Sequence, residues 1–397
     1  MSDITILAMQ RIDGGSGKVG CPPSGGNVRY SAPFWHGPVG YRRRRLPEVG
    51  DLPLSFLISH LSFVICHLSF AMNLLALDIG GSKIMSAIAT VSDGHGRKTC
   101  TVDRIVKKTL ASDTDSAGLL TEIRSILPDG ETIRQCDAVG VNVPGLADPK
   151  TGMWIYAPFS GIRDVPIAQI LSEMVKKPVA IDNDVNACAL AEKLFGICTE
   201  IDDFLWITIS NGIGGGLVLD GKVYRGHGGN AGEFGHLILV ENGMACGCGN
   251  RGCMEAEAAG PGIARRFRKE LAKRFGEKSE AFRRQADSTA AEIGELARQG
   301  DPVALDVYRT TARLLGQAAS YAVNLLNLPM VVLGGGVSGA FDLLAPEMTQ
   351  TLHRFAFAAA NRDVRIEKTA LGYEAALIGA AATGFVLPPV PAEITTK

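Results

Sequence analysis

The chain has 397 residues, more than one ordinary hydrophobic core organises, so we expect two domains or three. Its formal net charge is -1 at pH 7, which gives no reason to expect a nucleic-acid partner or an acidic partner. Most of its nine cysteines are scattered without pairing logic, which disfavours a disulfide scaffold and indicates a reducing, cytoplasmic setting.

Residues 1–71 differ in composition from the rest of the chain. They contain Gly and Pro turns, four arginines at 42–45, and an apolar run from Leu52 to Met72 in which a seven-residue pattern repeats. A charged segment followed by about twenty apolar residues fits a signal peptide or a membrane anchor. The repeat instead favours translated upstream sequence with Met72 as the start, so we predict a non-native or disordered extension. A functional appendage is the third alternative.

The regular part of the chain begins with a strand at 74–77 and a second strand at 84–91. They are joined by the turn Asp78-Ile79-Gly80-Gly81-Ser82-Lys83. A glycine hairpin of this kind exposes backbone N–H groups and one hydroxyl at its tip, which suits phosphate binding. Asp78 at the strand end is a candidate for holding magnesium through water. An ordinary hairpin turn is the alternative.

Polar residues follow the next pair of predicted strands, at 138–143 and 179–181. The second strand leads into Asp182-Asn183-Asp184-Val185-Asn186 and then a helix at 187–195. Ligands bind open α/β sheets beyond the carboxyl ends of the strands, where these side chains lie. A helix N-cap produces similar residues, so Asp182 or Asn183 could serve only as that cap.

A second glycine hairpin repeats the plan of the first. A strand at 206–209 precedes a turn over 210–216, Ser-Asn-Gly-Ile-Gly-Gly-Gly, and a returning strand at 217–219. Two such hairpins, one in each half of the chain, could grip the phosphates of a nucleotide from both sides. We therefore expect duplicated halves around a cleft.

The segment after this hairpin carries a group of metal-ligand residue types: His236, Cys246, Cys248 and Cys253. Thiolates and imidazole are the ligands that zinc prefers, and four protein ligands make a closed structural site. Glycines between the cysteines supply the positive-φ turns that wrapping a small ion requires. Buried or disulfide-bonded cysteines are the alternative.

The C-terminal part reads as helix, helix, strand and glycine turn. We predict a solvated basic helix at 261–275, an apolar core helix at 305–328 and a buried strand at 330–333. The turn Gly334-Gly335-Gly336 would let an adenine or ribose lie flat against the backbone, although such glycines also mark plain turns. Residues 388–397 are predicted to be a disordered tail.

Together, the segments DIGGSK, DNDVNA, SNGIGGGLVLDGKVYRG, GNAGEFGH, CGCGNRGCME and VVLGGGVS resemble the ROK family of bacterial sugar kinases and regulators, over residues 72–385. The resemblance implies an α/β, two-lobed actin/hexokinase/Hsp70-like (ribonuclease H-like) fold with a cleft between the lobes. It also implies ATP-dependent phosphorylation of a hexose on its 6-hydroxyl. We place the small N-terminal lobe at 72–184 and the large lobe, with the zinc site, at 185–387.

The resemblance also implies residue roles. Asp184 matches the general base, and the residues matching sugar ligands are Asn183, Glu233, His236 and Glu255. Zinc would hold one ring nitrogen of His236 and leave the other for the sugar. The residues expected to hold ATP and Mg²⁺ are Asp78, Gly80, Gly81, Ser82, Lys83, Asn211, Gly212, Gly214, Gly335 and Gly336.

Two departures from the family pattern affect the expected function. Asn211 replaces the usual Thr of the second phosphate loop, so we expect altered ATP affinity rather than inactivity. The segment 157–160, Ala-Pro-Phe-Ser, is one residue short of the usual pattern, so the family pattern does not define the outer wall of the sugar pocket. We expect a glucokinase-like enzyme, with an N-acetylglucosamine or N-acetylmannosamine kinase as the alternative.

Two alternative functions, neither of them catalytic, stay open. One is a non-catalytic sugar-sensing regulator, which needs an N-terminal helix-turn-helix that residues 1–71 do not suggest. The other is a sugar-binding pseudokinase, for which Asn211 is the sole indication. We expect a sugar substrate, no nucleic-acid or membrane partner, and a homo-oligomer, either a dimer or a tetramer.

Overall fold

The computed structural model describes residues 70–94, 96–111, 115–157, 161–359 and 362–388. The predicted N-terminal extension and the alternative membrane anchor lie outside these residues, apart from the last few residues before Asn73. The shortened segment at 158–160 and almost all of the predicted tail lie outside them as well. Within the described ranges, no helix combines the length and apolar character that crossing a bilayer requires.

The first sheet has five strands in the order β3-β2-β1-β4-β8. An antiparallel meander is formed by β1 (Phe70–Ile79), β2 (Lys83–Gly94) and β3 (Arg97–Thr109). Two strands then run parallel to β1: β4 (Ala138–Val143) and β8 (Val179–Asn183). The parallel strands β1, β4 and β8 end at one edge, which is where the predicted polar segments lie.

The second sheet has the same plan, in the order β11-β10-β9-β12-β13. Its meander consists of β9 (Phe204–Ile209), β10 (Ile213–Leu219) and β11 (Lys222–Tyr224). Its parallel strands are β12 (Met330–Gly334) and β13 (Arg365–Lys368). The identical order and directions confirm the predicted duplication of the two halves.

A small antiparallel sheet lies between β4 and β8 in the chain. It consists of β5 (Leu146–Asp148), β6 (Met153–Ala157) and β7 (Ile162–Val165). The indole of Trp154 in β6 is buried and donates to the carbonyl of Pro144, 2.9 Å away. This bond fixes the turn that leads out of β4, next to the edge where the polar segments lie.

The α-helices of the described residues are, in chain order, α1 (Ser116–Ile126), α2 (Gly130–Arg134), α3 (Ile167–Val175), α4 (Asp184–Phe195), α5 (Met254–Ala258), α6 (Gly260–Phe275), α7 (Glu280–Gln285), α8 (Ala290–Arg298), α9 (Pro302–Leu326), α10 (Phe341–Phe355) and α11 (Ala375–Val386). The long apolar helix predicted at 305–328 is α9. It starts earlier because Asp301 accepts from two backbone N–H groups, and it ends where Asn327 adopts φ 54°.

Helices α4 and α11 fill the space between the two five-stranded sheets. Leu74 and Ala76 of β1 form a buried cluster with Leu377 and Ala380 of α11. Helix α4 packs against the second sheet. There Ala189 and neighbouring residues of α4 form a buried cluster with residues of β9, β10 and β12. The lobe boundary predicted between residues 184 and 185 places α11 in the large lobe, whereas α11 packs against the first sheet.

Helices also cover the outer face of each sheet. Leu75 and Leu77 of β1 face away from α11, toward α1 and α3, so alternate residues of this strand serve two buried clusters. In the second lobe, α6, α8, α9 and α10 form the largest cluster, on the face of β9 and β12 opposite α4. Every residue of β4 is buried, as expected for a strand covered on both faces.

The glycine turn predicted at 210–216 is wrong in extent. The turn is only Ser210 to Gly212, and β10 begins at Ile213. A Cβ on Gly214 would lie 2.8 Å from Cγ2 of Val185, and one on Gly216 would lie 2.6 Å from Cβ of Ala189. These strand positions are glycine because α4 lies directly against the backbone of β10.

Gly216→Ala tests this close contact. The added methyl group would force α4 and β10 apart, so we expect the free energy of unfolding to fall by about 1–3 kcal/mol in a denaturant titration. Gly130→Ala in α2 is the matched control, because its Cβ would meet only Arg134, at an ordinary 3.7 Å. Equal effects of the two substitutions would contradict the packing argument.

Candidate active site

A cleft of about 450 Å³ brings together residues from both halves of the chain. One wall is the tip of the first hairpin, and the opposite wall is the start of β10 with the loop that follows β11. The predicted site residues that line it are Gly80, Gly81, Ser82, Lys83, Asn183, Asp184, Asn211, Gly212, Gly214, Glu233, His236 and Glu255. Segments distant in sequence therefore meet around one space.

The junction between β8 and α4 places Asp184 at the floor of this cleft. Asn183 is the N-cap of α4, since its side-chain oxygen accepts from Val185 N at 2.9 Å and from Asn186 N at 3.1 Å. Its amide nitrogen donates to Gly145 O at 2.8 Å and to Asp184 Oδ1 at 3.0 Å. Asn183 is thus a cap that also orients the carboxylate beside it.

Three polar side chains lie in register across the edge of the first sheet. Asp78 of β1 pairs with Asn142 of β4, which pairs with Asp182 of β8. All three are buried, and Asn142 hydrogen-bonds Asp78 and also donates to the carbonyl of Ala376 in α11, 2.6 Å away. Neighbouring residues of parallel strands share a face, so this row points toward the space between the sheets.

The carboxylates of Asp78 and Asp184 are held in an environment that opposes their ionisation. Burial, together with the nearby charge of Asp78, raises the pKa of Asp184 to about 7, although hydrogen bonds to the carboxylate oppose the shift. Burial also raises the pKa of Asp78 to about 6, although Lys83 and Asn142 oppose the shift. Two such carboxylates fit a divalent cation, which would remove the repulsion between them.

The first hairpin has the tight tip that the sequence predicts. Gly80 N donates to Lys83 O at 2.9 Å, and a Cβ on Gly80 would lie 2.8 Å from that oxygen. Gly81, Ser82 and the start of β2 therefore form the cleft wall. Asp78, near the end of β1, is largely buried and is not among the residues that line the cleft.

Glu255 connects the second hairpin to the segment that carries the cysteines. One carboxylate oxygen accepts from Ile213 N at 3.0 Å, and the other lies 3.9 Å from the sulfur of Cys246. Glu255 is in the first turn of α5, and the same carboxylate lies where a side chain on Gly212 would be. The wall that contains Glu255 is therefore bound directly to the second glycine turn.

The four predicted metal ligands converge. Their donor atoms all lie within 4.8 Å of one another. Cys248 Sγ is 3.6 Å from Cys253 Sγ, and Cys246 Sγ is 3.7 Å from Nδ1 of His236. Ligands about 2.3 Å from a tetrahedral zinc ion lie about 3.8 Å apart, so these spacings fit zinc. The predicted disulfide alternative does not apply, because all three cysteines are free.

The two ring nitrogens of His236 face different neighbours. Nδ1 points to the cysteines, whereas Nε2 lies 3.7 Å from Oε2 of Glu233 at the cleft wall. Both residues belong to one short turn, Glu233 being the N-cap of the 3₁₀ helix Phe234–His236. Holding Nδ1 therefore fixes which nitrogen faces the cleft.

A second cavity, of about 610 Å³, adjoins the cleft, since Ser210 and Asn211 line both. Gly336, a predicted nucleotide contact, lines this cavity, whereas the backbone of Gly335 lies against Ile209. The sequence motifs miss the rest of the wall, which includes Asp287, Ser288, Thr289, Glu295, Arg298 and Tyr308. A capping box at Thr289 and Glu292 predicts the start of α8 and nothing about a cavity.

The raised pKa of Asp184 predicts a pH-dependent cost in stability. An ionised carboxylate is disfavoured in the folded state, so its cost appears as pH rises above the unfolded-state value and is complete above about 7. Asp184→Asn should raise the melting temperature by at least a few degrees at pH 8 in magnesium-free buffer, and by little at pH 4.5. Thermal unfolding at the two pH values measures both.

Asp306→Asn, at an exposed position of α9, is the control for this experiment. It should change the melting temperature little at either pH. A shift for Asp184→Asn that is the same at pH 4.5 and pH 8 would mean that the buried charge is not the cause.

Comparisons with known proteins agree with this geometry. A glucokinase from Streptomyces coelicolor is 31% identical over 317 residues, which are 77% of this chain and 96% of that protein. The crystal structure of a ROK family glucokinase from Streptomyces griseus, in complex with glucose and AMPPNP, matches with a TM-score of 0.64 and 29% identity, over 79% of this chain and 99% of that one.

A regulator is also similar to part of the chain. The DNA-binding transcriptional dual regulator NagC of Escherichia coli is 30% identical over 245 residues, which cover 62% of this chain and 59% of NagC. The family model described as ROK family matches residues 74–384, from β1 to α11. Both hairpins and the cysteine cluster lie inside that span. This chain therefore belongs to the ROK family.

Proposed function

We propose that this chain is an ATP-dependent sugar kinase that phosphorylates the 6-hydroxyl of glucose. One observation carries the proposal: Asp184, a carboxylate whose pKa is raised to about 7, lies between two glycine turns and a wall of hydrogen-bonding side chains. Relatives named glucokinases, among them one crystallised with glucose and an ATP analogue, support the choice of substrates. Such a kinase fits the cytoplasmic location predicted from the sequence.

Asp184 is the general base in this proposal. A base works best when its pKa lies near the operating pH, because it is then both ionised and able to accept a proton. Asn183 and Val185 N each donate to Oδ1 of Asp184, at 3.0 Å, and leave Oδ2 for the attacking hydroxyl. Oδ2 takes the proton of the sugar hydroxyl as the hydroxyl oxygen bonds to the γ-phosphorus of ATP. The bond between that phosphorus and the β–γ bridging oxygen breaks, and ADP leaves with the bridging oxygen.

The nucleotide fits the two adjoining cavities. Its adenosine part would occupy the larger one, and its phosphates would pass Ser210 and Asn211 into the cleft. Backbone N–H groups of the two glycine turns would then meet the phosphate oxygens from opposite sides. Asp78 would hold magnesium, which would supply neutralisation of phosphate charge.

The sugar occupies the remaining wall of the cleft. Glu233, His236 and Glu255 present carboxylate oxygens and a ring nitrogen to it, a set that can pair with several sugar hydroxyls. A buried hydroxyl left unpaired would cost about 1–3 kcal/mol, so this set favours a polyol. Asn183 already uses its side-chain atoms within the protein, so its predicted sugar bond would replace its bond to Asp184.

The zinc site is structural in this proposal. The cysteines and Nδ1 of His236 would hold the ion, and the other ring nitrogen stays directed at the cleft. The ligand segment also follows the loop of Glu233 and precedes Glu255, so ordering it orders both ends of the sugar wall. No step of the proposed reaction needs the zinc ion.

A second candidate, a sugar-sensing regulator without catalysis, has the similarity to NagC in its favour. The kinase is preferred because Asp184 and both glycine turns line the cleft, which sugar sensing alone does not require. Among the kinases, glucose is preferred to N-acetylglucosamine and N-acetylmannosamine on the names of the relatives. Asn211, at the boundary of the two cavities, is expected to alter ATP affinity.

ADP release across a panel of hexoses and N-acetylhexosamines tests the function. Glucose should give the highest kcat/KM in the presence of ATP and Mg²⁺. Asp184→Ala should lower kcat by roughly 10²- to 10⁴-fold, because the sugar hydroxyl loses its base, and should still bind glucose in calorimetry.

The results separate the alternatives. Normal turnover by Asp184→Ala would contradict its role as base. Sugar binding without ADP release in the wild-type protein would favour the regulator or the pseudokinase. A preference for an N-acetylhexosamine would change the proposed substrate and leave the proposed reaction in place.

Cys248→Ser tests the coupling between metal and sugar. Losing one thiolate should lower the zinc content and loosen the turn of Glu233 and His236, so the KM for glucose should rise by about tenfold or more. The KM for ATP should change less, because among the described residues the metal segment is hydrogen-bonded to the second glycine turn only through Glu255, and it has no hydrogen bond to the first glycine turn. Cys100→Ser, in β3, is the control. Unchanged glucose kinetics in a zinc-free sample would refute the coupling.

A further inference from the structure

An ion pair joins the two halves of the chain beside the proposed base. Arg225 directly follows β11 of the second sheet, and Asp182 lies in β8 of the first, 43 residues earlier. Nη2 of Arg225 contacts Oδ2 of Asp182, and Nε lies 3.4 Å from Oδ1. The guanidinium therefore meets both carboxylate oxygens, which fixes orientation as well as distance.

The Asp182 end of this pair is rigidly placed. Its side chain is 1% exposed, and Oδ1 also accepts the backbone N–H of Asn183 at 2.9 Å. Burial raises the pKa of Asp182, and Arg225 is the charge that opposes this shift. A displaced Asp182 would carry Asn183 with it, and Asn183 caps α4 and donates to Asp184.

The Arg225 end controls the loop that leads to the sugar wall. Its backbone carbonyl accepts from Ala231 N at 3.1 Å, which closes the loop from 225 to 231. The next residue, Gly232, accepts from Gly215 N of β10 at 2.9 Å, and Glu233 follows at once. Asn230 and Glu233 of this loop line the cleft. Arg225 thus stands at the base of the segment that carries a proposed sugar ligand.

We propose that the Arg225–Asp182 ion pair is a positioning device that sets the proposed base, Asp184, in register with the sugar-binding loop. The pair touches neither substrate. It acts through Asn183 on one side and through the 225–233 loop on the other. The inference rests on the proposed kinase activity, because its consequence is the alignment of a base with a sugar hydroxyl.

The expected effect follows from the sensitivity of proton transfer to geometry. A displacement of about 1 Å at a reacting group costs on the order of 10²-fold in rate. Loss of the pair should therefore lower kcat more than it raises the KM for glucose. The KM for ATP should stay near the wild-type value, because the phosphates meet the glycine turns and not this loop. An ion pair that only stabilises the fold would not produce this split.

Arg225→Gln and Arg225→Lys are the test variants, and Lys193→Gln is the matched control. Lys193, in the last turn of α4, pairs with Asp202 at 2.8 Å and also donates to Thr199 O and Ile201 O. It ties the same helix to a neighbouring loop away from the cleft. For each variant, calorimetric titration with glucose counts the binding-competent sites, and kcat is expressed per such site, which removes the effect of misfolded protein.

We expect Arg225→Gln to lower kcat per site by about 10- to 100-fold. Arg225→Lys keeps the charge but offers one contact in place of two, so its kcat should be intermediate. Lys193→Gln should keep the wild-type kcat per site, even if its melting temperature falls.

The proposal is overturned if Arg225→Gln keeps the wild-type kcat per site, if Lys193→Gln loses as much, or if Arg225→Lys is fully active. A wild-type protein that releases no ADP with any sugar would instead contradict the proposed function.

Discussion

The close contact between α4 and β10 is the constraint on which the site depends. Helix α4 starts at the edge of the first sheet and lies on the second, so its first turn must sit at the boundary between them. Glycines at Gly214 and Gly216 allow that contact, because a side chain there would collide with Val185 or Ala189. Asp184, the first residue of the helix, is therefore held at the floor of a cleft that both sheets form.

This position carries an electrostatic cost. Asp78, Asp182 and Asp184 are gathered at one edge of the first sheet, and burial raises the pKa of each carboxyl group. Only Asp182 has a direct cationic partner among these three, in the described part of the chain. The charges of Asp78 and Asp184 are left to be balanced by what binds in the cleft, which is how an enzyme keeps a carboxylate reactive at the expense of stability.

Motifs in the sequence were enough to predict most of the cleft but not all of it. The strand at Ala138–Val143 and the four converging metal ligands follow from apolar runs and cysteine spacing. The glycines of β10 read as a turn because the sequence cannot show a helix packed against them. Arg298, Tyr308 and Arg225 gave no signal, since each gains its role from a partner brought near only by folding.

The proposed sugar wall is tied chiefly to the second sheet. Gly232 bonds to Gly215 of β10, Glu255 bonds to Ile213 at its start, and the metal ligands lie between these two anchors in the chain. If the lobes move, this wall should travel with the second sheet, whereas the β8 residues before Asp184 belong to the first. The Arg225–Asp182 pair joins those two bodies next to the proposed base. The strength of the pair therefore bears on any movement between the two sheets as well as on the proposed alignment of Asp184 with a sugar hydroxyl.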